Sequence, residues 1–192
     1  NDVVRGLVSR KASSGISNEM FIHSGDVLTP IISKLLNMVF RSCTWPSVWK
    51  TANVIPIFKG GKRTRSDPSS YRPISILPGS SKLLDKILYR RLYEFCSRHN
   101  VIHRFQLGGK HRVGSTYQLI HVVEQVNFHR NNSKVCVLAF LDIQKAFDRI
   151  DRATLIKRLV DIGVCGNLFG CISSFLAERQ QRTKVGKDFS ST

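Results

Sequence analysis

The chain has 192 residues, 42% of them hydrophobic, enough for one ordinary domain or two small subdomains with a core. Its net charge is +17, and residues 51 to 112 hold thirteen Lys and Arg against three acids, so the excess is regional and points to a polyanionic partner, nucleic acid first. Five cysteines without a CxxC pair exclude a disulfide framework or zinc ribbon, and no apolar run is long enough to cross a bilayer, so no membrane partner is expected. The thiols read as reduced and intracellular. With no Met at position 1, the chain is expected to be a piece of a longer polypeptide.

Residues 1 to 25 lack periodicity, and the Ser/Gly cluster Ala12 to Ser17 predicts a loop after a short helix. From Asp26, which can cap the start, Leu28, Ile31, Ile32, Leu35, Leu36, Val39 and Phe40 recur at helical spacing and predict an amphipathic helix with that stripe in the core. Trp45, Pro46 and Trp49 are expected to pack. TANVIPIF, Thr51 to Phe58, reads as a strand that Pro56 confines to an edge or to the start of a hairpin. Lys59, Lys62, Arg63 and Arg65 then crowd a tip loosened by Gly60 and Gly61, a composition suited to phosphate. In SYRPISIL, Ser70 to Leu77, Arg72 stands before Pro73, which stiffens the chain behind a guanidinium fit for bidentate phosphate contacts.

Ser80 to Ser97 reads as a second amphipathic helix with Leu83, Leu84, Ile87, Leu88, Leu92 and Phe95 on its apolar side. The stretch QLGGKHRVGST, residues 106 to 116, leads into a helix that Ser115 can cap and that runs to about Asn127, with Leu119, Ile120, Val122, Val123 and Val126 expected buried. Seven apolar residues from Val135 to Leu141 then run into Asp142, which predicts a strand buried on both faces and ended by a carboxylate. An ionised group at the edge of a core is costly unless a cation or a set of donors compensates it. Phe147, Asp148 and Asp151 follow on the turn. Asp151 can cap a helix over 152–162 ended by Gly163, a further helix spans about 167–178, and RQQRTKVG reads as a strand.

Two of these stretches, in this order, carry a resemblance. IPIFKGGK followed by SYRPISIL resembles the fingers hairpin of reverse transcriptases from non-long-terminal-repeat retrotransposons, and LDIQKAFDRID is similar to their first catalytic motif. The resemblance covers about Lys11 to Val185. It implies an α+β chain with the right-hand polymerase fold: helical fingers with a β-hairpin, plus the first part of a ferredoxin-like palm sheet. The segments would be 1–50 as N-terminal support, 51–133 as fingers and 134–192 as the beginning of the palm.

For the residues, the resemblance implies that Lys59 and Arg72 grip the triphosphate of an incoming deoxynucleotide, beside Ile143. Asp142 and the Ile143 carbonyl hold two Mg²⁺ ions, with Mn²⁺ as a substitute, and Phe147 blocks a ribose 2′-hydroxyl. Gln106, Lys110, Arg112 and Ser115 fall in the block that contacts template, although Leu107 and Gly109 stand where that block usually has aromatics. The implied partners are an RNA template, a DNA primer, deoxynucleoside triphosphates and the remainder of the polymerase chain, acting in the nucleus after a cytoplasmic ribonucleoprotein stage. The family's second metal-binding motif, an aromatic-x-Asp-Asp turn, has no counterpart in these residues, so the chain alone is expected not to polymerise. The rival reading from another class is a non-catalytic nucleic-acid-binding relic or domesticated domain.

Overall fold

A computed structural model of the chain describes residues 18–110 and 114–191. The expected loop at Ala12 to Ser17 lies outside them. The contacts divide the chain into two compact units, one taking residues up to Phe95 and from Arg152 onward, the other Cys96–Asp151.

The first unit is built from α1 (Asn18–His23), α2 (Gly25–Ser42), β1 (Thr51–Phe58), β2 (Tyr71–Ile76), most of α3 (Gly79–Arg98), α5 (Arg152–Asp161), α6 (Gly166–Leu176), β3 (Gln180–Val185) and β4 (Asp188–Phe189). Its core gathers Leu36 and Val39 of α2, Leu83, Leu84 and Leu88 of α3, Cys171 of α6, and both tryptophans. Trp45 packs edge-on against Phe175 at 4.8 Å and against Trp49 at 6.2 Å. The expected stripe of α2 is only partly inside: Leu36 and Val39 are buried and Ile32 and Phe40 pack behind them, but Ile31 and Leu35 face solvent. Apolar spacing identified the helix correctly but drew its buried face too wide. The helix also starts at Gly25, which places Asp26 inside the first turn rather than at the cap.

Helices α2 and α6 approach closely because α6 presents a glycine. A Cβ built on Gly170 would lie 2.7 Å from Cys43 Sγ and 2.8 Å from Cys43 Cβ. Cys43 itself holds a left-handed φ of 54°, a conformation that suits glycine. Next to it, burial pushes the Cys171 thiol up to about 11, and its Sγ donates toward the Phe40 carbonyl at 3.5 Å. Gly170→Ala is therefore expected to overpack this contact and cost about 1–3 kcal/mol. Adding Cys43→Gly should restore most of the loss. Urea unfolding of the single and double variants checks both statements, and a single variant as stable as the parent would contradict the contact.

The four strands form one sheet in the order β2-β1-β3-β4. β1 runs antiparallel to β2, with Pro56 opposite Pro73, and parallel to β3 over Thr51 to Val54. Of the two positions expected for a strand containing Pro56, an edge or the start of a hairpin, the second is found: β1 opens the β1–β2 hairpin. β1 is interior, but only along its first half. Because Lys59 N donates to Ser70 O at 2.9 Å, bonded pairs fall on odd positions of β1, and the two prolines face each other in a non-bonded pair. The N–H that Pro56 lacks would have pointed toward β3, and that ladder has already ended at Val54. Asn53, buried on β1, accepts from Arg182 Nε of β3 at 2.8 Å, which ties the parallel pair together.

The second unit contains one long regular element, α4 (Ser115–Asn131). Gly114, not Ser115, occupies its cap position. Its apolar residues were expected to be buried, yet none is, and Leu119, Ile120 and Val123 are exposed. Periodicity requires a partner surface to become burial, and among the described residues of the second unit none lies over Leu119, Ile120 and Val123.

A larger correction concerns Val135 to Leu141. No strand forms there: the run joins no ladder, Val135 is 92% exposed and Leu141 96% exposed. A buried strand needs a neighbour for each backbone N–H and C=O, and the one sheet of the described residues is made from other segments. The fold is thus a mixed α/β arrangement with a small four-stranded sheet, in which β3 is the strand expected from RQQRTKVG, whereas Val135 to Leu141 takes no part. Among the described residues no helix is long and apolar enough to cross a membrane.

Candidate nucleotide and nucleic-acid site

The hairpin β1–β2 positions the first pair of expected residues. Lys59 extends β1 by one bonded pair, opposite Ser70, and Arg72 is opposite Ile57. Side chains alternate along a strand, so Ile57, Lys59, Arg72 and Ile74 project from the same face, with Lys59 and Arg72 as diagonal neighbours. Arg72, Ile57 and Ile74 are exposed. This face offers two cations over a small apolar floor, a suitable surface for a polyphosphate.

The tip between the strands is ordered by its own hydrogen bonds. Gly60 and Gly61 take φ values of 76° and 72°, which reverse the chain at no steric cost. Lys59 Nζ donates to the Ser69 carbonyl at 2.6 Å. Asp67 accepts from Ser69 N at 2.8 Å and from the Ser69 hydroxyl, and these bonds, with help from the Lys59 charge, hold its carboxyl below the usual range. Tyr71 donates its hydroxyl to the Arg65 carbonyl at 2.9 Å, and the Arg65 guanidinium lies 5.1 Å over Phe58. Asp67 and Arg65 were missed as organisers of the tip. Asp-Pro-Ser-Ser, where Asp67 caps a single 3₁₀ turn (Pro68–Ser70), is a turn signal that the sequence does contain.

Asp142, Ile143 and Phe147 belong to the second unit. All three are exposed, Phe147 at 91%. A turn at Lys145, whose φ is 53°, accepts from Asp148 N at 3.0 Å and Arg149 N at 3.1 Å. Asp148 thus contributes its backbone to this turn. A hard dication takes about six oxygen ligands. Asp142 and the Ile143 carbonyl supply two, and no group of three or more His, Cys, Asp or Glu gathers among the described residues. By themselves these residues do not make a two-metal centre.

Of the expected template contacts, Arg112 lies outside the described residues. Gln106 and Ser115 are exposed, and Lys110 turns back to donate to the carbonyls of His103 and Arg104, at 3.4 and 3.1 Å. Lys110 therefore braces the 103–110 loop.

Residues 58–191 match the family model described as reverse transcriptase (RNA-dependent DNA polymerase). The chain belongs to the reverse transcriptase family. It is 35% identical over 163 residues to the RNA-directed DNA polymerase from mobile element jockey of Drosophila melanogaster, covering 83% of this chain and 17% of the relative. The probable RNA-directed DNA polymerase from transposon X-element of the same fly is 31% identical over 149 residues, covering 78% of this chain and 16% of the relative. A probable RNA-directed DNA polymerase from transposon BS is 27% identical over 159 residues, with coverage of 83% and 17%. The chain thus spans about a sixth of the length of these curated relatives. It is a segment of a reverse transcriptase of the non-long-terminal-repeat retrotransposon kind, as its two motifs implied.

Proposed function

We propose that, within a complete polymerase chain, this segment binds the incoming deoxynucleoside triphosphate for RNA-templated extension of a DNA primer. The observation that supports this most is the register of the hairpin, which aligns Lys59 and Arg72 diagonally on one face in a reverse transcriptase-family segment. Their charges would neutralise the triphosphate and fix its direction. Phe147 would stand against the sugar and Ile143 beside the nucleotide. Asp142 and the Ile143 carbonyl would join a Mg²⁺ site only with carboxylates from elsewhere in the longer chain. Gln106, Lys110, Arg112 and Ser115 would meet the RNA template.

On this reading the segments 1–50, 51–133 and 134–192 are the support, the fingers and the start of the palm of a right-hand polymerase acting in the nucleus. Primer extension tests it. The chain of 192 residues is expected to incorporate nothing, and a longer chain that adds the missing carboxylates is expected to extend a primer. In that longer chain Phe147→Val should raise ribonucleotide incorporation relative to deoxynucleotide by at least about tenfold, the effect of roughly 1.4 kcal/mol of lost discrimination. Unchanged sugar selection would remove Phe147 from this role.

A further inference from the structure

The second unit carries a pocket whose lining, among the described residues, includes none of those expected to meet nucleotide or template. It has a volume of about 490 Å³ and is lined by Arg104, Phe105, Leu107, Tyr117, His121 and Gln125. We propose that it binds one unpaired nucleobase of a single-stranded nucleic acid; the inference rests on the nucleic-acid reading above and adds to it a stacking site with its own residues.

Four observations carry it. First, the loop and the helix build a layered platform: the Arg104 guanidinium lies 4.5 Å over the Phe105 ring, and the His121 ring stacks on Phe105 at 5.8 Å with 23° between planes. A flat cation on an aromatic ring presents a second flat surface on which a base can stack. Second, Tyr117, His121 and Gln125 follow each other at intervals of four on α4, so a phenol, an imidazole and an amide line one face of the helix. Tyr117 is 61% exposed. Its ring is available to stack, and the Gln125 amide is of the type that pairs with a base edge.

Third, the platform is held in place before any ligand arrives. Lys110 bonds the His103 and Arg104 carbonyls, and Phe105 N donates to His103 Nδ1 at 3.3 Å. Fourth, among the described residues the lining contains a cation and no acid, in a chain of net charge +17. That combination of aromatic faces and positive charge is how single strands are held without sequence preference.

The test uses the 192-residue chain with a short oligouridylate carrying one 2-aminopurine, whose emission is quenched when its ring stacks, and with the corresponding DNA oligomer in parallel. The parent chain is expected to bind and quench, and the oligomer bound more tightly identifies which strand supplies the base. Tyr117→Leu and Phe105→Leu should each weaken binding roughly 5- to 100-fold and abolish quenching, with helix content by circular dichroism unchanged. Arg63→Gln, on the hairpin tip, should weaken binding at low salt yet leave quenching at saturation intact. Binding and quenching unchanged in both leucine variants would overturn the pocket alone. No binding by the parent chain would overturn the nucleic-acid reading and the pocket with it.

Discussion

Trp45→Ala is expected to cost the first unit about 3–5 kcal/mol, the range for truncating a large buried aromatic, a large share of the stability of an ordinary domain. Trp45 is 2% exposed and stands where α2, α3 and α6 meet. Its ring packs on Phe175 and Trp49, and its backbone N–H bonds Ser174 Oγ at 2.8 Å. Alanine keeps the backbone bond and leaves a cavity that two helices cannot close without moving. Trp45→Phe should cost distinctly less. The indole Nε1 is buried with no hydrogen-bond partner among the described residues, so phenylalanine removes an unpaired polar group while keeping most of the ring. Urea unfolding followed by fluorescence of Trp49 measures both. A loss below about 1 kcal/mol for the alanine variant would show that the described core does not support the unit.

The second large effect belongs to the hairpin face and is read in the longer, active chain. Arg72→Ala is expected to raise the KM for deoxynucleoside triphosphate roughly 10- to 100-fold, the equivalent of about 1.5–3 kcal/mol for hydrogen bonds to a charged partner. Lys59→Ala should have a smaller effect in the same direction. Its ammonium already donates to the Ser69 carbonyl, so binding a phosphate exchanges one bond for another, while Arg72 has no such competing bond among the described residues. Because the two are diagonal neighbours aimed at one ligand, the double variant should lose less than the product of the single losses. If both substitutions changed only the affinity for RNA, the face would be a strand-binding surface rather than a triphosphate site.

What the sequence made legible was local. The hairpin could be read to the residue at its first strand because β-branched residues, a glycine-rich tip and a pair of prolines act within a few positions of one another. The helices over α2, α3 and α6 were legible for the same reason. Burial was less so, because a stripe such as Leu119, Ile120 and Val123 records which side of a helix is apolar but not whether anything lies against it. Val135 to Leu141 failed similarly: seven apolar residues fit a core strand, but a strand also needs a ladder, and that depends on other segments. The hairpin cations were pointed to by motif, and it is the register that puts Lys59 and Arg72 on one face. The pocket around Phe105 and the Gly170 contact with Cys43 were not legible, since each joins residues whose spacing in the chain has no pattern.

The opposed prolines have a consequence for recognition. Sliding β2 by one residue along β1 would place a proline where a donor is required and would turn Arg72 to the other side of the ribbon. The misaligned hairpin therefore lacks a hydrogen bond that the native one never needed. A two-stranded ribbon with a repetitive apolar sequence is otherwise prone to slip, and here the penalty falls on the one error that would separate its two cations. Pro56 and Pro73 act as a ratchet tooth, which lets a segment with few packing contacts at its tip keep its charges aligned.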